Sequence, residues 1–226
     1  MLRELLDSLR SGGTLNRAFS QLREMLDHAE WMFVRANDVL HGTATAEEVR
    51  DSIYSRDNSV NELERSIRRK VLRHLTINPG FDVEVCLALM SVAKDAERIG
   101  DYCKNVFEVG RFYTEGFHVP KYQEPLDGVS EQAVKMFHLV SSAIRNQDEA
   151  LANQALALSR QIRRQCDNVI EELFKDESEI QVHEAVAYSL LARHYKRVAS
   201  HLSNIATAVM GRVENLDFYP DKGSQG

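Results

Sequence analysis

The chain has 226 residues, a formal net charge of −6, 43% hydrophobic residues and 27% charged residues, an ordinary globular composition with room for one large or two small domains. The acidic balance argues against a broad basic field for nucleic acid, which needs clustered Lys and Arg. With only 4 prolines and 11 glycines, turn-formers are scarce, which favours long helices over a many-stranded β fold. Cys86, Cys103 and Cys166 keep no metal-ligand spacing and fall in apolar helical patterns, so buried free thiols in a reducing compartment are expected. Met1 to Ala18 mixes charges among its leucines and lacks the apolar core of a signal peptide, and no stretch approaches the roughly 18 apolar residues of a membrane span. The expectation is a cytoplasmic protein.

In the first helix, Phe19, Leu22, Leu26, Ala29, Phe33, Ala36 and Leu40 alternate steps of three and four, which places them on one stripe. His41-Gly42 closes it as a glycine C-cap. Thr45 with Glu48 makes a capping box for the second helix, where Val49, Ile53, Val60, Leu63, Ile67 and Val71 continue the period. Asn78-Pro79-Gly80 breaks the pattern. The third helix carries Val85, Val92, Ile99, Val106 and Tyr113 at intervals of seven, interleaved with Leu89, Ala96, Cys103 and Gly110. Such a repeat gives a narrow packing seam, and Ala96 and Gly110 allow a partner helix to approach closely.

Pro120, Pro125, Gly116 and Gly128 mark residues 119–129 as a linker. Three further helices are predicted at about 130–145, 148–176 and 181–212, the middle one capped by Asn146 with Glu149. The last helices of the two halves align when Arg98 is set against Arg197: Ala93 meets Ala192, Ile99 meets Val198, Gly100 meets Ala199, Asn105 meets Asn204 and Val106 meets Ile205. The predicted architecture is all-α, with six long helices in two tandem three-helix bundles related by an internal repeat. Residues 1–118 form the first bundle with an N-terminal extension and 130–216 the second, and 217–226 are a tail.

The densest chemistry lies in residues 95–106. Glu97 and Asp101 are one turn apart and point away from the Ile99 seam. Stacked carboxylates suit a hard or borderline metal, although such a pair is most often a solvated helix face. The string Ala96-Glu97-Arg98-Ile99-Gly100-Asp101-Tyr102-Cys103-Lys104-Asn105-Val106 resembles the signature of the PhoU family of phosphate-uptake regulators, whose members close each of two three-helix bundles with a helix of the form ERIGD-x-x-x-N-[IV]. Residues 192–206 resemble the C-terminal version of it.

The resemblance implies a cytoplasmic, often dimeric regulator, not an enzyme. Such a protein restrains phosphate transport and phosphate-starvation signalling by contacting the cytoplasmic component of a phosphate transporter, a sensor histidine kinase, or both. In some members [DE]-x-x-x-D motifs on adjacent helices hold iron, zinc or manganese. Here Glu97 and Asp101 match that motif, but the partner helix offers Asp57 and Asn61, an acid and an uncharged amide. In the second half Lys196 and Ser200 replace the acids, and Arg163 precedes Asp167. At most one metal site is therefore expected, in the first bundle. Arg163 and Lys196 form a candidate basic site for a phosphate or an acidic partner. Arg98, Arg197, Asn105 and Asn204 are read as structural, through snorkelling pairs and bonds across the bundle. The Trp31-Met32-Phe33 cluster suits an interface anchor or core packing equally. Rival readings are a carboxylate-based metal-storage or redox protein, disfavoured because a Glu-x-x-His motif does not occur on each of two helices as such a centre needs, and a helical adaptor without metal or phosphate role.

Overall fold

A computed structural model describes residues 13–178 and 180–210. The N-terminal extension through residue 12, the end of the second bundle past residue 210 and the 217–226 tail lie outside the described residues. Among those described, six helices follow one another: α1 Thr14–Leu40, α2 Ala46–Ile77, α3 Val83–Phe112, α4 Pro120–Asn146, α5 Glu149–Phe174 and α6 Val182–Val209. The first three pack together, as do the last three, and the halves join where α3 lies against α6 and α1 touches α4.

The helical periods account for this packing. Leu22, Leu26, Ala29, Phe33 and Ala36 are all buried, and so is the α3 seam from Val85 through Val106. A Cβ built on Gly110 would lie 3.1 Å from Val39 Cγ1 and 3.2 Å from Leu40 Cδ2, so the bare glycine lets the end of α1 approach α3. Gly42 has φ +69°, as a C-cap glycine should. At the start of α2, Thr45 and Glu48 bond reciprocally, the Thr45 N–H donating to Glu48 Oε2 at 2.9 Å. All three cysteines are free and buried. Burial pushes the Cys86 thiol up to about 11, with Asp82 adding to the shift.

Two expectations are corrected. Residues 120–129 are not a linker but the opening turns of α4. Pro120 stands at the start of the helix, where a backbone N–H would have no partner. Pro125 lies so near that end that it removes little of the ladder, and a Cβ on Gly128 would meet nothing within 4 Å. Tyr122, Leu126 and Val129, spaced by four and three, are buried, and this tertiary burial outweighs the local breakers. Nor does Asn146 cap the next helix, since it is the last residue of α4. Asp148 is the cap of α5, its carboxylate accepting from the N–H groups of Ala150 at 2.8 Å and Leu151 at 3.1 Å. Asp148 wins because it stands directly before the first helical residue, where its oxygen reaches two unpaired donors.

Candidate functional site

The acidic face lies between α2 and α3. Asp57 on α2 is 8% exposed and its carboxylate accepts from Lys104 Nζ on α3 at 2.8 Å. The same ammonium reaches Asp101 Oδ1 at 3.4 Å. Burial pulls Lys104 toward its neutral form, but the bond and attraction of Asp57, with Asp101 behind, outweigh that and raise its pKa. Glu97 is held by Lys94 at 2.8 Å, with Arg98 Nε at 3.8 Å. Arg98 also approaches Asp101 at 3.7 Å, so its carboxylate contacts are on its own helix, not a neighbouring one as snorkelling had suggested. Asn61 is half-buried one turn beyond Asp57. Among the described residues, no three His, Cys, Asp or Glu side chains converge as a metal ion would require. An ammonium already stands between the two carboxylates on adjacent helices, so this donor set does not fit a resident metal.

In the second half, Lys196 Nζ donates to Asp167 Oδ1 at 2.5 Å, from α6 to α5. Arg163 is half-buried nearby on α5, and Arg197 is exposed on α6. Half of the expected basic pair is thus neutralised by an acid. The surrounding surface is nonetheless basic, because residues 150–166 and 185–209 contain no Asp or Glu, while Arg160, Arg164, Arg193 and Arg197 stand exposed.

The seam between halves carries most of the polar bonding that sequence reasoning missed. Asp95 on α3, 7% exposed, accepts from His201 Nδ1–H at 2.7 Å and Asn204 Nδ2–H at 3.0 Å on α6. Asn204 therefore bonds from the second bundle to the first. Tyr102 stacks on the His201 ring at 5.7 Å. Tyr195 is 3% exposed and donates its O–H to Asn37 Oδ1, so it belongs to the core. Met32 and Phe33 are fully buried, which makes them core. Trp31 is half-buried under the Arg56 guanidinium, 4.1 Å from its ring. The signal for the Asp95 knot was present: His201 and Asn204 are three apart on α6, and Asp95 stands one turn before Ile99 on the seam.

Farther along α3 and α6 an open groove of about 500 Å³ is lined by Asn105, Val109 and Phe112 of α3 and by Val186, Leu190 and His194 of α6. Burial, with help from Arg193, lowers the His194 imidazole to about 4, and its Nδ1 is buried without a hydrogen-bond partner. An unfolded chain would protonate this ring near 6.5. Between 6.5 and 4 the unfolded state therefore binds more protons, and stability falls as the pH falls. Allowing for the exposed part of the ring, His194 should remove about 1–2 kcal/mol of stability between pH 7.5 and pH 5. Urea unfolding at the two pH values should show a smaller loss in His194→Gln, and equal losses in both proteins would refute the assignment.

The model of the PhoU domain matches this chain twice, over residues 22–109 and 126–209. A protein of Caulobacter vibrioides named phosphate-specific transport system accessory protein PhoU homolog is 33% identical over 98 residues, which is 43% of this chain and 42% of that protein. In that match the chain thus spans less than half of its relative's length. A protein of the same name from Xylella fastidiosa is 26% identical over 213 residues, 92% of this chain and 87% of that one. The crystal structure of PhoU from Pseudomonas aeruginosa superposes with a TM-score of 0.78 at 22% identity, covering 87% of this chain and 95% of that one. A phosphate transport system regulatory protein PhoU from Streptococcus pneumoniae gives 0.71 at 17% identity, covering 91% and 97%. At these identities the two structures speak for the shared fold.

Proposed function

The chain belongs to the PhoU family, and on that premise we propose that it is an accessory regulator of phosphate transport, not an enzyme, which acts in the cytoplasm by docking on the cytoplasmic component of a phosphate transporter. The names of the Caulobacter and Xylella relatives support the biological setting. No helix among the described residues is long and apolar enough to cross a membrane, so contact with a transporter would be made from outside the bilayer.

The observation that carries the docking surface is the outer stripe of α6. Val182, Val186, Leu190, Arg193 and Arg197 step by four, four, three and four, which puts them on one helix face. Val182 is 75% exposed, and Phe112 of α3 and Phe174 of α5 are exposed too. The stripe runs from the apolar groove to the arginine-rich surface over α5 and α6. Apolar anchors in a concave groove give a contact its binding energy, and a basic rim steers an acidic partner and fixes its register. The surface suits an amphipathic segment with apolar residues at one end and carboxylates at the other.

Removing the gene should raise phosphate uptake in phosphate-replete cells, and the intact protein should reverse the rise. A variant with Arg193→Glu and Arg197→Glu changes two exposed side chains and should fold normally, yet weaken capture of the transporter's purified cytoplasmic component by about tenfold or more and fail to restore restraint. Full complementation by that variant would dismiss the docking face. Uptake that ignores removal of the gene would dismiss the function itself.

A further inference from the structure

We propose that Lys104 is the built-in cation of the first bundle: its ammonium takes the position between Asp57 of α2 and Asp101 of α3 that a metal ion would otherwise fill, so this protein joins the two helices without metal. The inference is independent of the docking reading above.

Three observations support it. First, the geometry is that of a bridge. The Nζ lies 2.8 Å from Asp57 Oδ2 and 3.4 Å from Asp101 Oδ1, so one positive charge serves a carboxylate on each helix. Helical side chains lean toward the N-terminus, and Lys104, three residues after Asp101, lies back over that turn and reaches across to α2. Second, the need is local. The Asp57 side chain is 11% exposed, and a buried carboxylate requires a partner that supplies both charge and hydrogen bonds. Of the remaining candidate donors, Glu97 is turned to Lys94 and Arg98, and Asn61 brings no charge. Third, the second bundle also sets an ammonium of its last helix on an acid of its middle helix, although that acid is exposed. There Lys196 of α6 donates to Asp167 of α5. Lys104 would align with Ser203, not with Lys196, so the two halves share the device and not the residue.

The test uses the full chain purified without chelator or affinity metal, with manganese and zinc chlorides as probes. The wild type should contain far less than one metal ion per chain, and neither EDTA nor added manganese should move its Tm. Lys104→Met leaves Asp57 and Asp101 without their counter-ion. It should lower Tm by roughly 5–10 °C, and added manganese or zinc should recover part of that loss. Asp57→Asn in the Lys104→Met background should abolish the recovery. Near-stoichiometric iron, zinc or manganese in the wild type, lost on Asp57→Asn, would overturn the proposal. So would a Lys104→Met protein whose Tm is indifferent to both metals. If Lys104→Met does not fold, Lys104→Gln keeps a donor for Asp57 while removing the charge and takes the same metal titration. The wild-type metal content stands as a separate criterion.

Discussion

Replacing Phe33 with alanine is expected to cost about 4 kcal/mol of stability, the usual loss for a fully buried aromatic ring. Phe33 sits on α1 with no exposed surface, its ring centre 5.9 Å from that of Phe137 on α4 and 5.4 Å from that of Tyr195 on α6. It is therefore a side chain of the first bundle whose aromatic partners lie in the second. One turn further along α1, Asn37 accepts the Tyr195 O–H and donates its own Nδ2–H to the Phe33 carbonyl at 2.8 Å. Truncation would leave a cavity bordered by two large rings and a bonded tyrosine, none of which can collapse freely into it. Since a domain is stable by only about 5–15 kcal/mol, the variant should unfold at a markedly lower urea concentration, with Tm lower by about 8–16 °C. Phe33→Leu should cost about 1.5 kcal/mol or less, because most of the volume is retained. Both halves should melt in one transition in the wild type, because the aromatic cluster spans them. A loss below about 1 kcal/mol in Phe33→Ala, the range for an exposed site, would show that the ring does not join the halves.

The residues whose packing was legible in advance are those whose signal is periodic. The α1 stripe and the α3 repeat point into the core because burial selects every third or fourth residue, and that selection is visible along a single segment. The glycine after α1 and the Thr45 capping box were equally local. Harder to read was anything decided by a neighbouring element. Pro120, Pro125 and Gly128 read as a linker, yet the buried trio Tyr122, Leu126 and Val129 holds those residues in α4. Tyr195 and His194 are adjacent in sequence but about 100° apart around α6, so one enters the core while the other lines the groove.

The acidic face shows the same division. That Glu97 and Asp101 share a helix face follows from spacing of four. Which cation neutralises them does not, because Lys104 is long and flexible and its strongest partner, Asp57, lies 47 residues away. Its spacing of three from Asp101 was the one available hint. On α6 the absence of acids from residue 185 to residue 209 is visible in the sequence. Its meaning depends on α5 bringing Arg160, Arg163 and Arg164 alongside, which only the fold shows.

Asp95→Ala is the second substitution expected to have a large effect, about 2–3 kcal/mol. One carboxylate oxygen accepts both bonds that tie α3 to α6 at this point, from His201 and from Asn204. Its removal leaves a ring N–H and an amide N–H in a seam where water cannot fully replace the lost acceptor. Asp95→Asn can keep one uncharged oxygen as acceptor for both donors but loses the negative charge that strengthens the two bonds, so it should cost less than alanine and still fall short of the wild type. Burial alone does not explain such a result, because asparagine and aspartate have nearly equal volumes. A double-mutant cycle with His201→Ala should return a coupling of about 1–2 kcal/mol, as expected for residues in one hydrogen-bond network. Asn204→Ala should be less damaging than Asp95→Ala, since it leaves the Asp95–His201 bond in place. If the Asp95 and His201 effects add without coupling, the seam is held by its apolar contacts and not by the polar knot.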